Sequence, residues 1–290
     1  MKKIVITGAQ GQLSDCINDI IKQYKDIVTE FLSIDDLDIT DSKAVLNYFN
    51  SNKFDFFVNC AAYTNVDKAE SEMELAKLIN AVGVRNLALS CKSQNATFIQ
   101  ISTDFIFDGK SSIPYLENDL PSPISVYGKT KKEGEDEIMK SLTKYYILRT
   151  SWLYSEYGHN FLKSMLRIGA EKSELNVIFD QIGTPTYAKD LACVILELIR
   201  KPNPIEFGIY NYSNEGVASW YDFATAIFEY SKMKTSVNPI RTEMYPTPAK
   251  RPPYSVLDKQ KIKQKLSIGI PNWRKSLITC LNNIKKLESI

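Results

Sequence analysis

The stretch that most constrains this chain is its N-terminus. Ile4, Val5 and Ile6 form a short β-rich run that leads directly into Thr7-Gly8-Ala9-Gln10-Gly11-Gln12-Leu13-Ser14, and an amphipathic segment follows. Glycines at 8 and 11 permit a tight turn and a close approach of backbone to a pyrophosphate. The next helix offers unpaired N–H groups and the positive end of its dipole to the same anion. Such a loop is a moderate signal alone. It gains weight here because a strand precedes it and a helix follows. At the third glycine position of the pattern the chain has Ser14. A glycine there normally allows close packing of helix on strand, so a small serine is tolerated and predicts a slight shift of the helix.

Downstream, short apolar runs recur at 30–34, 56–60, 98–102 and 145–149, separated by helical patterns at 13–24, 42–50, 73–90 and 129–140. Strand alternating with helix implies βαβ crossovers and a parallel sheet. The fold class is therefore α/β: a doubly wound, parallel Rossmann-type sheet with a smaller C-terminal substrate-binding lobe. We expect residues 1–150 to form the NAD(P)-binding domain and 151–290 mainly the smaller lobe. Segments of about 176–200 and 209–230 should return in part to the first domain. The second half reads as strands at 176–179 and 208–212, helices at 188–200 and 220–230, and a last helix starting near Pro271-Asn272-Trp273. Prolines between 246 and 253 exclude a central strand or helix interior, so this stretch should cross the lobe surface extended.

Composition narrows the function. The 290 residues carry a net charge of +2, which gives no electrostatic argument for nucleic acid or an anionic membrane. No apolar run approaches a membrane span, and the first strand begins too early for a signal peptide, so a cytoplasmic protein is expected. Cys16, Cys60, Cys91, Cys193 and Cys280 are odd in number and widely spaced, which fits reduced, mostly buried thiols. His159, the single histidine, lies in a Gly-rich turn and reads as a loop residue. No carboxylate cluster suggests a metal.

Chemistry concentrates at the strand ends. Asp38-Ile39 follows the second strand, where a carboxylate reaches the adenosine part of a dinucleotide or caps the next helix. Asn59-Cys60-Ala61-Ala62-Tyr63 closes the third strand with small residues that leave room for a ligand. Ser102-Thr103-Asp104 closes the fourth. Tyr127 and Lys131 are four apart and share one helix face. An adjacent ammonium lowers a tyrosine pKa, and a hydroxyl from Thr103 can hydrogen-bond the same carbonyl oxygen. Together these three would protonate an oxyanion as hydride arrives.

With these residues in view, the chain resembles the dTDP-4-dehydrorhamnose reductase family of extended short-chain dehydrogenases. The resemblance rests on GAQGQL (8–13), LDITD (37–41), NCAAYTNVDKAE (59–70), ISTDFIFDG (101–109), SVYGKTKKEGE (125–135), LRTSWLY (148–154), NFLKSMLR (160–167), DQIGTPT (180–186) and YPTPAKRPPYSVLD (245–258). It implies that Tyr127 is the proton donor, Lys131 its partner and ribose ligand, and Thr103 the third catalytic group. Gly11, Gln12, Leu13, Asp38, Ile39, Ala61, Ala62 and Tyr63 match cofactor-contact positions, together with Gly8 of the loop, for NADPH or NADH. Asp104 and Trp152 match sugar contacts. Arg251, by charge and position, either pairs with a substrate diphosphate or holds the proline-rich segment in place. The implied reaction reduces a dTDP-4-keto-6-deoxyhexose, dTDP-4-dehydro-L-rhamnose, toward cell-surface polysaccharide. A homodimer is one option for the assembly. Some relatives carry magnesium, for which this chain shows no site.

Three positions depart from the family pattern. Ser14 is one, Phe105 stands where tyrosine is frequent, and Ser155 stands where glycine is common. Two competing readings remain: a reductase of a neighbouring dTDP-4-keto sugar, or a non-catalytic module like the regulatory subunit of methionine adenosyltransferase. The intact Thr103, Tyr127 and Lys131 argue for turnover.

The stretch Ser33-Ile34-Asp35-Asp36-Leu37-Asp38 carries three carboxylates and no basic residue. Like charges disfavour a 2′-phosphate, whereas a carboxylate accepts hydrogen bonds from a free ribose hydroxyl. NADH should therefore be used at least as well as NADPH. The check is kcat/KM for both at one ionic strength; a preference for NADPH of about tenfold or more refutes the argument.

Overall fold

A computed structural model describes residues 1–288. In its first half strand and helix alternate: β1 (Lys2–Thr7), α1 (Gln12–Ile21), β2 (Ile27–Leu32), α2 (Ser42–Ser51), β3 (Phe56–Asn59), α3 (Val66–Ala69), α4 (Met73–Lys77), α5 (Val84–Gln94), β4 (Thr97–Thr103), α6 (Val126–Ser141) and β5 (Tyr145–Thr150). The second half contains β6 (Leu153–Tyr154), α7 (Phe161–Glu171), β7 (Glu174–Ile178), β8 (Ile182–Gly183), β9 (Thr186–Tyr187), α8 (Ala188–Arg200), β10 (Gly208–Asn211), β11 (Ala218–Ser219), α9 (Trp220–Ser231), β12 (Ser236–Ile240), α10 (Gln260–Leu266) and α11 (Trp273–Glu288).

Among the described residues the main sheet has six strands in the order β10-β5-β4-β3-β1-β2. Every pairing in it is parallel. The order reverses at β1, so a crevice opens at the carboxyl ends of β1 and β3. The physical reason is visible in β1 itself. Ile4 and Ile6 pack into a core with α1 and α8, while Val5 packs into the opposite core with α2, α5 and α6. A strand buried on both faces reads as a continuous apolar run, as this one does. A third core, built by Leu162, Phe223, Phe228, Trp273 and Leu277, forms the smaller lobe.

Several expectations need correction. β2 starts earlier than expected and ends at Leu32; the Asp36 carboxylate accepts bonds from Ser33 N and Oγ at 2.8 and 2.7 Å, turning the chain and leaving Ile34 exposed. α6 starts at Val126, because Ser125 Oγ caps it by accepting from Gly128 N at 3.2 Å. Of the segments expected to return to the first half, β10 joins the main sheet and α8 packs on α1. β7 instead pairs with β12, and α9 belongs to the third core. The proline-rich stretch forms no regular strand or helix, is bent at Pro248, Ala249 and Pro253, and meets the first half through Arg251 and Asp67. Ser255 N donates to Ile182 O at 2.8 Å, and Tyr115 N donates to Val256 O at 2.8 Å. All five cysteines are free; Cys193 is exposed and Cys60 partly so. No helix among the described residues is long and apolar enough to cross a membrane.

The helical pattern at 73–90 is interrupted by a wider π-turn, Leu78–Gly83. It places Asn80 where its amide accepts from Tyr63 N at 2.9 Å and donates to Thr130 Oγ1 of α6 at 3.2 Å. Gly134 makes that approach possible: a Cβ there would lie 2.2 Å from Asn80 O, a backbone atom that cannot swing aside. Gly134→Ala should therefore destabilise the fold by about 1–3 kcal/mol or more. Urea denaturation checks this; an unchanged midpoint would show that α6 packs more loosely than described.

Candidate active site

One cleft of about 1190 Å³ runs along the carboxyl ends of the central strands and under the smaller lobe. At one end lies the glycine loop after β1. Gly8 has φ +75, and a Cβ there would lie 2.8 Å from Ala61 N and Cys60 C, so only glycine fits. Gly11 N donates to Gly8 O at 3.1 Å, which closes the turn before α1. Ser14 is built into this loop. Its buried Oγ lies 2.6 Å from Gly8 O and 2.8 Å from Gly11 O, and accepts from Gly11 N at 3.1 Å. The hydroxyl ties helix to loop, an effect more specific than the tolerance expected of it.

A buried polar ladder holds the strand ends in register. Thr7 Oγ1 donates to Asn59 Oδ1 at 2.7 Å, and Asn59 Nδ2 donates to Gln100 Oε1 at 2.8 Å. Ala61 N donates to Asn59 Oδ1 at 3.2 Å, presenting Ala61 and Ala62 to the cleft. Leu13, Asp38 and Ile39 line the same end. The Asp38 carboxylate accepts from Thr40 N and Oγ1 at 2.8 and 2.7 Å, while the helix cap is Asp41. Tyr63 stands apart from the cleft lining. Its backbone is held by Asn80, and its hydroxyl donates to Glu72 at 2.6 Å. The glycine turns, the bare backbone and the N-terminus of α1 fit a dinucleotide diphosphate.

At the other end, Thr103, Asp104, Tyr127 and Lys131 share the cleft wall. Thr103 Oγ1 donates to Asp104 Oδ1 at 3.1 Å and accepts from Phe105 N at 3.2 Å. Asp104 is buried, and its Oδ2 has no hydrogen-bond partner among the described residues. Burial pushes its carboxyl up to about 7, against the hydroxyls of Ser255 and Thr103. Tyr127 meets the edge of Phe105 at 5.7 Å between ring centres. The sequence predicts a lowered tyrosine pKa, but burial pushes Tyr127 up to about 12, opposed by the Thr103 hydroxyl and assisted by the Asp104 charge. Desolvation dominates, and Lys131 Nζ donates to Ile101 O at 2.6 Å. Burial pulls Lys131 itself down to about 8, with Glu135 and Cys60 acting the other way.

Trp152 follows β5 with φ +44, an unusual conformation for a bulky residue. Its indole stacks on Trp220, with centroids 3.6 Å apart and planes at 6°. Both rings line the cleft. Trp220 opens α9 and reads in sequence only as a helix start, so its place here is decided by packing. His159 lies exposed at the rim, next to Gly158, which approaches Gln12. Arg251 borders the cleft but is engaged: its guanidinium donates to both Asp67 oxygens at 3.1 and 2.8 Å and to Thr247 at 2.7 Å. Of its two expected roles, holding the proline-rich segment is the one the contacts support. No group of three metal-ligating side chains occurs among the described residues.

Comparison with known proteins places this arrangement. Residues 1–286 match the RmlD substrate binding domain family. A dTDP-4-dehydrorhamnose reductase of Aggregatibacter actinomycetemcomitans is 40% identical over 96% of this chain and 97% of its own. A reductase of the same name from Clostridium acetobutylicum superposes with a TM-score of 0.94 at 43% identity, covering 98% of this chain and 99% of the other. A third, from Bacillus anthracis, was solved in complex with NADP and has a TM-score of 0.92 at 38% identity, covering 97% and 99%.

The chain belongs to the dTDP-4-dehydrorhamnose reductase family.

Within that family's pattern, Phe105 and Ser155 prove compatible with the site. Phe105 gives Tyr127 an aromatic edge, and Ser155 Oγ accepts from Tyr157 N at 3.0 Å, bracing the loop beside Gln12. Buried Glu135 and Arg149 are the supporting residues that sequence reasoning missed, since nothing in the spacing of 135 and 149 shows that they meet.

Protonation sets a pH dependence for this reductase. Lys131 is charged below about 8 and neutral above it, whereas Tyr127 keeps its proton throughout this range. Reductive kcat/KM should fall as pH rises through the lysine pKa, a limb distinct from any change as Asp104 ionises near 7. Lys131→Met should lower activity and abolish that limb. A limb that persists in the variant would assign it to another group.

Proposed function

We propose that this chain reduces the 4-keto group of dTDP-4-dehydro-L-rhamnose to dTDP-L-rhamnose, with NADPH or NADH, in a cytoplasmic step toward cell-surface polysaccharide. The observation that carries the reading is the convergence of Thr103, Tyr127 and Lys131 on one wall of the cleft, in a chain matching the family over nearly its full length. A bound reduced nicotinamide supplies the hydride for the carbonyl carbon. Tyr127 gives its proton to the carbonyl oxygen, and Thr103 donates a hydrogen bond to that oxygen. A tyrosine whose pKa sits near 12 holds its proton at rest. Lys131, whose ammonium donates to the Ile101 carbonyl, would help hold the cofactor ribose, and its charge nearer the phenol would raise the acidity of Tyr127. Gly8, Gly11, Gln12 and the N-terminus of α1 hold the diphosphate, with Leu13, Asp38, Ile39, Ala61 and Ala62 shaping the adenosine end. Asp104 and Trp152 orient the sugar.

A second reading has specific support. A spore coat polysaccharide biosynthesis protein of Bacillus subtilis, SpsK, is 40% identical over 96% of both chains, so a related 4-keto sugar remains a competing substrate. NADPH oxidation with a dTDP-4-keto-hexose mixture, followed by NMR of the product, separates these readings. It also excludes or establishes a non-catalytic binding module, which would show no turnover. Tyr127→Phe keeps the ring and should retain folding and cofactor binding while losing about 10²–10⁴-fold in turnover. Near-normal turnover by a folded variant would overturn the mechanism.

A further inference from the structure

A dinucleotide brings several negative charges into the cleft. The loop after β1 and helix α1 meet them with backbone alone, since no lysine or arginine stands between Thr7 and Ile21. Three basic side chains line the cleft: Lys131, Arg251 and His159. Lys131 donates to Ile101 O, and Arg251 is paired with Asp67. His159 is exposed and has no hydrogen-bond or ion-pair partner among the described residues.

The position of His159 is fixed from both sides. Gly158, with φ +61, brings the chain against the first turn of α1: a Cβ there would lie 3.5 Å from Gln12 Cβ and 3.8 Å from Gln12 N. Gln12 and Leu13 open that helix, so their amides have no carbonyl partner within it and are free for an anion. On the other side, Asn160 Nδ2 donates to Ser155 O at 2.9 Å and to Tyr157 O at 3.1 Å, and Asn160 Oδ1 accepts from Lys163 N at 3.0 Å. Tyr157 is tied to Asp19 of α1. His159 thus stands between two held residues, beside the N-terminus of α1 and across from the glycine turn. An imidazole donates one N–H when neutral and two when charged, so it can bond a diphosphate oxygen in either state.

We propose that His159 is a cofactor-binding residue that donates to the diphosphate of NAD(P), opposite the backbone amides of the β1 loop and α1. The proposal rests on the reading of that loop as the dinucleotide site. A substrate dTDP would carry a diphosphate too; the contact of Gly158 with Gln12 favours the cofactor's.

His159 is the single histidine of the chain, so its ring protons give the only histidine signals in a proton NMR spectrum. They should move when NADP is added. They should stay in place with dTDP, and with adenosine 2′-monophosphate, which keeps the adenosine end but has no diphosphate. Calorimetry then reads affinity. His159→Ala should weaken NADP by about fivefold or more, with dTDP affinity and melting temperature unchanged. His159→Lys keeps a donor and a charge and should recover most of that loss. Signals that stay in place while NADP binds would overturn the proposal, as would full NADP affinity in His159→Ala. A lysine variant as weak as the alanine one would assign the effect to loop shape and also overturn it. Signals that move with dTDP instead would place the imidazole on the substrate nucleotide. A wild type that binds no NADP would instead sink the dinucleotide reading of the loop, and the proposal with it.

Discussion

The site depends on one buried ion pair. Arg149 of β5 and Glu135 of α6 are each about 1% exposed, and their side chains meet in two bonds, 3.0 and 2.8 Å long. Ser102 donates to the same carboxylate at 2.6 Å, and Arg149 also donates to Glu117 O at 3.0 Å. The pair thereby fixes helix α6, strand β5, the end of β4 and the loop before α6 to one another. Thr103 is the neighbour of Ser102, and Lys131 lies one helical turn before Glu135. Removing either partner strands a charge in the core, at a cost of about 3–5 kcal/mol. The geometry of the proton-transfer groups is thus set by residues that never reach the cleft.

The smaller lobe is joined to this frame by a second polar cluster. Buried Glu156 accepts from Tyr187 at 2.9 and 3.0 Å and from Asn283 of α11 at 3.2 Å. Lys189 of α8 bridges Glu156 and Asp19 of α1, and Tyr157 donates to Asp19 at 2.7 Å. The loop at 153–160 is therefore anchored to α1, α8 and α11 together. That anchoring carries Trp152 against Trp220 and brings Gly158 over Gln12, so both ends of the cleft share one support.

The site also shows burial outweighing charge. From spacing alone, Lys131 lowers the Tyr127 pKa. In the folded chain both groups lose water, the tyrosine goes up, the lysine goes down, and the lysine amine satisfies itself on Ile101 O. Spacing shows that two groups share a helix face. It does not show how much water they keep.

What the sequence by itself determined was local. Ile4-Val5-Ile6 before Gly8 and Gly11, the alternation of strand and helix, and the Tyr127/Lys131 spacing all record chemistry within a few residues along the chain. The fold class was therefore legible, as was the sharing of one helix face by Tyr127 and Lys131, which both line the cleft. Tertiary structure decided what depends on distant segments meeting. It paired Arg149 with Glu135, stacked Trp152 on Trp220, and engaged Arg251 with Asp67. It also kept α9 with the smaller lobe while sending β10 back to the sheet. Those outcomes follow from side chains far apart in sequence competing for the same buried space, and no local pattern encodes which of them will win it.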